Sequence, residues 1–475
     1  MKIEQMYTGC LAEAAYYIES NGEAIIIDPL RDTQPYLKKL NKQGTKLKYI
    51  LETHFHADFV SGHIDLAKAT GATIVYGPTA QTDFDSYRAK DGERLSIGDI
   101  EIEVLHTPGH TMESTCYLLR DNKNKPVAVF TGDTLFIGDV GRPDLAIKSD
   151  LTAEDLAGLL YESLENKIKT LPDSITIYPG HGAGSACGKN MSKDTYDTLG
   201  NQKEKNYALK APTKEAFIQE VLDGLTAPPA YFGANALLNK QGYKEIDQVI
   251  SQGSTPLSVE DFEKTQDRTQ AILIDTRSPI EFKKGFIPGA INIGLEGQFA
   301  PWAATMIPDL HQPILLITTP GKEEEAVTRL ARVGFDHVLG YLSGGFPQWE
   351  TASKPIDRIS TLQPKELKKK RYESIHILDV RRQSEYDAAH MEEATHLPLD
   401  FIDEWTNQLD KNKTYYLHCA GGYRSVIAAS ILRNRGFHHL IDIEGGFSAI
   451  DQELGITRLQ KKGWLSSLFS FVKTN

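Results

Sequence analysis

Tyr415-Tyr416-Leu417-His418 runs directly into Cys419-Ala420-Gly421-Gly422-Tyr423-Arg424-Ser425, and residues 426–435 continue with helical character. The apolar run reads as a buried strand, the paired glycines as a tight loop, and the remainder as a helix opening from that loop. Such a loop turns successive backbone N–H groups toward its centre and adds the positive potential of a helix N-terminus. That environment lowers a thiol pKa and stabilises a thiolate or a persulfide anion. A packed cysteine without chemistry has no need of a Gly-Gly-x-Arg surround. Cys419 is therefore expected to be a nucleophile, with Gly421, Gly422 and Tyr423 binding substrate and Arg424 adding positive charge at the rim. A strand, loop and helix in this order also predict a small α/β domain.

The preceding residues repeat this pattern. Asp275-Thr276-Arg277 with Glu281-Phe282 matches Asp379-Val380-Arg381 with Glu385-Tyr386, and the offset is 104 residues in both cases (379 − 275, 385 − 281). Gly344-Gly345-Phe346 likewise matches Gly445-Gly446-Phe447. A repeat of that length is a duplicated domain rather than a solenoid. The first copy lacks the cysteine. Its equivalent stretch is Ile314-Leu315-Leu316-Ile317-Thr318-Thr319-Pro320-Gly321-Lys322, with no arginine at the matching spacing. A hydroxyl without a base is a poor nucleophile, so this copy is expected to be an inactive spacer or docking surface.

The first half alternates β-like runs (24–28, 48–53, 73–76, 100–105, 127–131 and 174–178) with helical stretches. Several runs end in His or Asp beside Gly or Pro, as strand ends do when they deliver polar groups to one sheet edge. Four motifs stand out: Thr53-His54-Phe55-His56-Ala57-Asp58, Thr107-Pro108-Gly109-His110, Thr131-Gly132-Asp133 and Pro179-Gly180-His181-Gly182. Each is weak alone, but four in order after strand-like runs form a metal-ligand constellation. Arg142 and Asp144 are read either as binding an anionic substrate or as a pair bracing their loop. Cys187, in a Gly-rich stretch after His181, is read either as a relay thiol or as a packed cysteine. Cys116 is expected in the core, and Cys10 has no assigned role.

A chain of 475 residues is expected to hold about three domains. A boundary is expected near Ala227-Pro228-Pro229-Ala230. The net charge of −12 argues against nucleic-acid binding. No apolar run is long enough to span a bilayer, and the N-terminus lacks a signal-peptide pattern, so the expected location is cytoplasmic. Four widely spaced cysteines fit a reducing compartment.

Residues 356–456 resemble a rhodanese sulfurtransferase through Asp379-Val380-Arg381, Glu385, His390, the Cys419 loop and Glu444-Gly445-Gly446-Phe447. The spacing of Cys419 and Arg424 resembles sulfurtransferases rather than the phosphatases related to them, whose loop is one residue longer. The four His/Asp motifs resemble the metallo-β-lactamase fold. That resemblance implies an αββα sandwich over residues 1–240, followed by two rhodanese-like α/β domains, an inactive one over 255–355 and an active one over 356–456. An apolar tail (457–475) is expected to pack on a domain or partner chain rather than on a membrane.

Two-metal hydrolases of the fold carry His after the Asp of the first motif, where this sequence has Phe59. That difference argues for one metal and against a dinuclear hydrolase. The closer resemblance is to the persulfide dioxygenases. It implies one Fe(II) per chain held by His54, His110 and Asp133, with His56, Asp58 and His181 around the ligands, and His56 an alternative direct ligand. The whole order resembles persulfide dioxygenase–sulfurtransferase fusions. It implies thiol persulfide, O2, sulfite and thiosulfate as reaction partners, a role in sulfide detoxification, and self-association. The rival readings are a zinc-dependent thioester hydrolase of the glyoxalase II type and a non-catalytic persulfide carrier or sensor.

Overall fold

The computed structural model describes residues 1–145, 151–370 and 375–456; the tail at 457–475 lies outside them. The described chain forms two compact units. The first holds Met1–Thr255 with Gln298–Pro313 and Glu323–Gly340, and the second holds Pro256–Gly297, Ile314–Lys322 and the described residues from Tyr341 onward.

In the first unit, side-chain alternation builds the layers. Along the strand Glu13–Ser20, Ala14, Tyr16 and Ile18 enter one core while Ala15 and Tyr17 enter another. Successive strand residues face opposite ways, so a strand buried on both faces belongs to an inner layer. Two six-stranded sheets result, and they meet through Tyr16, Ile27, Leu51, Val104, Tyr117 and Phe130. Helices Gln34–Gln43 and His63–Thr70 cover the outer face of one sheet through Tyr36, Leu40 and Leu66. Helix Ala153–Ser163 covers the other through Leu160. A capping box of Thr152 and Asp155 starts that helix. Burying Leu160 contributes roughly 1.5–3 kcal/mol. The six β-like runs read from the sequence are all strands, and the arrangement is the expected αββα sandwich.

Strand direction then places the chemistry. Glu23–Ile27 and Lys46–Leu51 run parallel, as do Pro126–Gly132 and Thr176–Pro179. Parallel neighbours present their C-terminal ends at the same edge, and just beyond those ends stand Asp28, Thr53, His54, Asp133 and His181. Helices Phe299–Met306 and Glu323–Ala331 of the first repeat group with this unit. They are followed by Arg332, whose carbonyl accepts from Val60 N–H, and by Asp336, which pairs with the fully buried Arg31 guanidinium.

The two repeats each carry a five-stranded sheet of the same strand order. In the first it runs Pro256–Leu257, Val338–Leu342, Ile314–Ile317, Ile272–Asp275, Ile291–Asn292. In the second it runs Ser360–Leu362, Leu440–Ile443, Tyr415–His418, His376–Asp379, Ala394–His396. The pairs within the second sheet are parallel. Both repeats keep one scaffold element. Arg277 forks onto Asp275 and lies over Phe346 at 4.1 Å; Arg381 forks onto Asp379 and lies over Phe447 at 3.7 Å. No helix among the described residues is long and apolar enough to cross a membrane.

Candidate metal centre and cysteine loop

His54, His110 and Asp133 are buried and converge. Asp133 Oδ2 lies 3.8 Å from His54 Nε2 and 3.5 Å from His110 Nε2, and it is a buried oxygen without a hydrogen-bond donor. An orphaned buried carboxylate oxygen is costly unless a cation answers it. The other ring nitrogens decide the tautomers. His110 Nδ1 is 2.9 Å from the Arg142 carbonyl, which can only accept, so Nδ1 carries the proton and Nε2 keeps its lone pair. Thr53 Oγ1 donates to Asp28 Oδ2 at 2.8 Å, which leaves it to accept from His54 Nδ1 at 3.0 Å. Both Nε2 lone pairs therefore face the free Asp133 oxygen, and the three residues fit a divalent cation. Asp28 also accepts from Thr53 N–H and takes a left-handed backbone, φ 50°.

The remaining motif residues surround this trio. His181 Nδ1 donates to Asp133 Oδ1 at 2.7 Å, and its Nε2 lies 2.8 Å from Asp58 Oδ2. Burial alone would lower the His181 pKa, but Asp133 and Asp58 outweigh it and hold it well above the ordinary range. Burial would raise the Asp133 carboxyl; the charge and hydrogen bond of His181, with His54 and His110, hold it far below the carboxylate range instead. His56 Nε2 points elsewhere, 3.1 Å from Asp28 Oδ1 and 3.6 Å from Glu52 Oε2. Phe59 is fully buried with its ring 4.3 Å from that of His56. His63 sits beyond Glu52, and burial followed by the charge of His56 pushes it down to about 3.

The Arg142 guanidinium forks onto Asp144 and donates to the Thr226 carbonyl, so here the pair braces the loop that orients His110. The Cys187 sulfur lies within 4.8 Å of ligand atoms of Asp58 and His181. Burial, then Asp58 and Asp133, push its thiol well up, so the protonated form is favoured. Cys116 is buried in the core and pushed up to about 11 by burial. Sequence reasoning missed Glu13 and Glu52, buried carboxyls raised chiefly by burial, and the Asp28–Thr53 brace. The Asp ending the apolar run 24–28 was the one available signal for the brace.

In the second unit, Cys419 is buried at the end of strand Tyr415–His418, and helix Arg424–Asn434 follows. Gly422 N–H donates to Cys419 Sγ at 3.1 Å. Arg424 forks onto Glu385 at 2.6 and 2.7 Å; burial would weaken its charge, but Glu385 and the charge of Cys419 outweigh that effect. Gly446, at φ 59°, lies against the loop, where an added Cβ would meet Cys419 O at 2.4 Å. Gly345 bears the same relation to Thr318 O, at 2.6 Å, which identifies Thr318 as the counterpart of Cys419. Gly421, Gly422 and Tyr423 line a cavity of about 830 Å³.

The sequence model of the metallo-beta-lactamase superfamily matches residues 8–181, and that of the rhodanese-like domain matches 258–352 and 363–453. A solved metallo-beta-lactamase from Staphylococcus aureus subsp. aureus COL is 32% identical, with a TM-score of 0.63, covering 72% of this chain and 98% of that one. The chain belongs to the metallo-beta-lactamase superfamily. Two rhodanese-like domains follow that domain. A probable hydroxyacylglutathione hydrolase of Schizosaccharomyces pombe is 36% identical over 181 residues, 37% of this chain. The persulfide dioxygenase ETHE1 of Homo sapiens is 34% identical over 163 residues, 34% of this chain. The chain spans 66% of the length of the first and 59% of the second.

Proposed function

We propose that this chain oxidises the persulfide of a low-molecular-weight thiol to sulfite at a single iron(II) and, at Cys419, transfers sulfane sulfur to sulfite to give thiosulfate. The observation that carries the reading is the convergence of His54, His110 and the unanswered Asp133 oxygen; the sequence supports it, since Phe59, which cannot ligate, follows Asp58 where the motif of dinuclear hydrolases has histidine. Iron(II) bound by these three groups would keep positions open for a persulfide sulfur and O2. In the overall oxidation the outer sulfur loses four electrons to O2, and one O2 with one water supplies the three sulfite oxygens. The chain contributes fixed imidazole tautomers, set by Thr53 and by the Arg142 carbonyl, and the His181 proton on Asp133.

The second reaction is a displacement with no external oxidant. The Cys419 thiolate attacks the outer sulfur of a persulfide, the sulfur–sulfur bond breaks, and the carrier leaves as its thiolate. Sulfite then attacks the sulfur held on Cys419, forming thiosulfate and restoring the thiolate. The Gly422 N–H at 3.1 Å and the nearby Arg424 charge stabilise the anion on Cys419.

A second reading, a zinc-dependent thioester hydrolase, draws support from the 36% identity to the hydroxyacylglutathione hydrolase. Oxygen uptake by anaerobically purified protein, given a thiol persulfide and assayed for metal on the same sample, separates the two. Uptake proportional to iron is expected. Zinc with thioester cleavage and no uptake would establish the hydrolase. Neither activity, together with tight binding of persulfidated protein to a partner, would establish the carrier.

A further inference from the structure

The cavity lined by Gly421, Gly422 and Tyr423 of the Cys419 loop is far larger than an inorganic anion fills. At about 830 Å³ it falls in the range of about 300–1,000 Å³ that holds organic ligands. Its lining comes from both repeats. Gly421, Gly422 and Tyr423 belong to the active loop, whereas Ile280, Lys284 and Gly297 belong to the copy without a nucleophile.

The two copies are fastened at this wall. Tyr423 Oη donates to the Gly294 carbonyl at 2.7 Å, and a Cβ on Gly297 would meet the Tyr423 ring at 2.3 Å, so only glycine allows that approach. Lys283 donates to Asp442 Oδ2 at 2.6 Å, and Asp442 Oδ1 accepts from Ser425 of the loop at 2.6 Å. The first copy therefore holds the loop as well as facing it.

The charges on the wall are unevenly satisfied. Lys283 is committed to Asp442, and Glu444 takes a hydrogen bond from Gln363. Lys284 and Arg358 are exposed and adjacent: Arg358 Nε donates to the Lys284 carbonyl at 2.9 Å, and neither cation pairs with a carboxylate among the described residues. Glu296 is the other carboxylate on the lining. Beside them Ile280 leaves 65% of its surface exposed. Two cations without a carboxylate partner among the described residues, next to an apolar side chain, suit a ligand with an organic arm and an anionic end.

We infer that the wall formed by Lys284 of the nucleophile-free copy and by Arg358, from the segment that follows that copy, is the carrier-binding part of the sulfurtransferase site. Lys284 and Arg358 take the carboxylate or phosphate groups of an organic thiol persulfide whose outer sulfur reaches Cys419. The inference rests on the sulfur-transfer reading above. The step is the displacement already described: the Cys419–sulfur bond forms, the carrier sulfur–sulfur bond breaks, and the carrier thiolate leaves through this cavity.

The test uses the full chain without oxygen, with sulfite as acceptor and thiosulfate as readout. Glutathione persulfide, coenzyme A persulfide and inorganic hydrogen disulfide serve as alternative donors. In the double variant Lys284→Gln/Arg358→Gln, KM for the organic donors rises about fivefold to tenfold with kcat within about twofold. The preference for organic over inorganic donor falls by the same factor. The donor whose KM moves identifies carboxylate or phosphate as the group bound. The charge-conserving pair Lys284→Arg/Arg358→Lys restores KM. Unchanged KM for both organic donors overturns the inference, as does an equal loss of kcat with all three donors. A wild-type chain that forms no thiosulfate from any donor overturns the sulfur-transfer reading itself.

Discussion

Thr53→Val tests the metal centre through a residue that touches no metal. Valine keeps the volume of threonine, so packing against Gly132, where an added Cβ would already lie 2.5 Å from Thr53 Oγ1, is preserved. What disappears is one hydroxyl with two partners: Asp28 Oδ2 loses its donor and His54 Nδ1–H loses its acceptor. Each buried group left unpaired costs about 1–3 kcal/mol. Asp28 keeps its bond from Thr53 N–H, so the smaller figure applies to it. His54 is then free to move its proton to Nε2, which removes the lone pair aimed at Asp133. Losing a partner of this kind costs about 10–100-fold in metal affinity, or about 1.4–2.7 kcal/mol. Anaerobic titration of iron(II) or zinc(II) against a competing chelator reads the affinity directly, and thermal melting of the metal-free protein reads the stability term. Thr53→Ser retains the hydroxyl and should bind metal like the parent chain. An affinity for Thr53→Val within about threefold of the parent would refute the claim that Thr53 sets the His54 tautomer.

Cys419→Ser should abolish thiosulfate formation while persulfide-dependent O2 uptake continues, measured by chromatographic thiosulfate analysis beside an oxygen electrode; thiosulfate surviving the change would sink the coupled scheme. Gly446→Ala forces a side chain into a left-handed backbone, costing about 1–2 kcal/mol, and drives its Cβ against the Cys419 carbonyl. It should lower the rhodanese melting transition and slow sulfur transfer, whereas Gly421→Ala, whose Cβ meets open space, should leave the melting transition in place. Burial would raise the Glu385 carboxyl, but Arg424 holds it below its usual range. Its stabilisation is therefore complete above the unfolded value of about 4.3 and fades as pH falls through the lower folded value. Melting temperature followed from pH 6 to pH 3 should fall less steeply for Glu385→Gln than for the parent, and parallel curves would refute the assignment.

What the sequence made legible depended on how local each signal was. The Cys419 loop is contiguous, and its strand, glycines and helix each leave their own mark, so the thiol and its setting were readable. The His/Asp motifs were readable because each closes a strand, and parallel strands carry their ends to one edge. Which histidines face one another was not readable. His54 and His56 stand two positions apart, yet one points its Nε2 toward Asp133 and the other toward Asp28 and Glu52. That choice is made by Thr53 and Asp28, which sit 25 residues apart and meet only because their strands pair. Arg142 shows the opposite limit: its spacing to Asp144 allowed a brace or a substrate contact, and only the Thr226 carbonyl, 84 residues away, completes the brace.

The duplicated half shows how a site is lost while its scaffold stays. Both copies keep the forked Asp–Arg pair under an aromatic ring and the glycine pressed on the carbonyl at the nucleophile position. These features hold the backbone and carry no sulfur chemistry. The groups that handle the anion are the ones replaced. Thr318 stands for Cys419, and Glu323, Glu324 and Glu325 open the helix where the second copy opens with Arg424. Three carboxylates at a helix N-terminus occupy the positive potential that an incoming anion would need. The loop of the first copy is thus poorly suited to an anionic sulfur species, while Lys284 of that copy lines the cavity at the Gly421–Tyr423 end of the Cys419 loop. Replacement of the nucleophile by Thr318 leaves Lys284 in place, so it is compatible with the carrier-binding role inferred for that side chain.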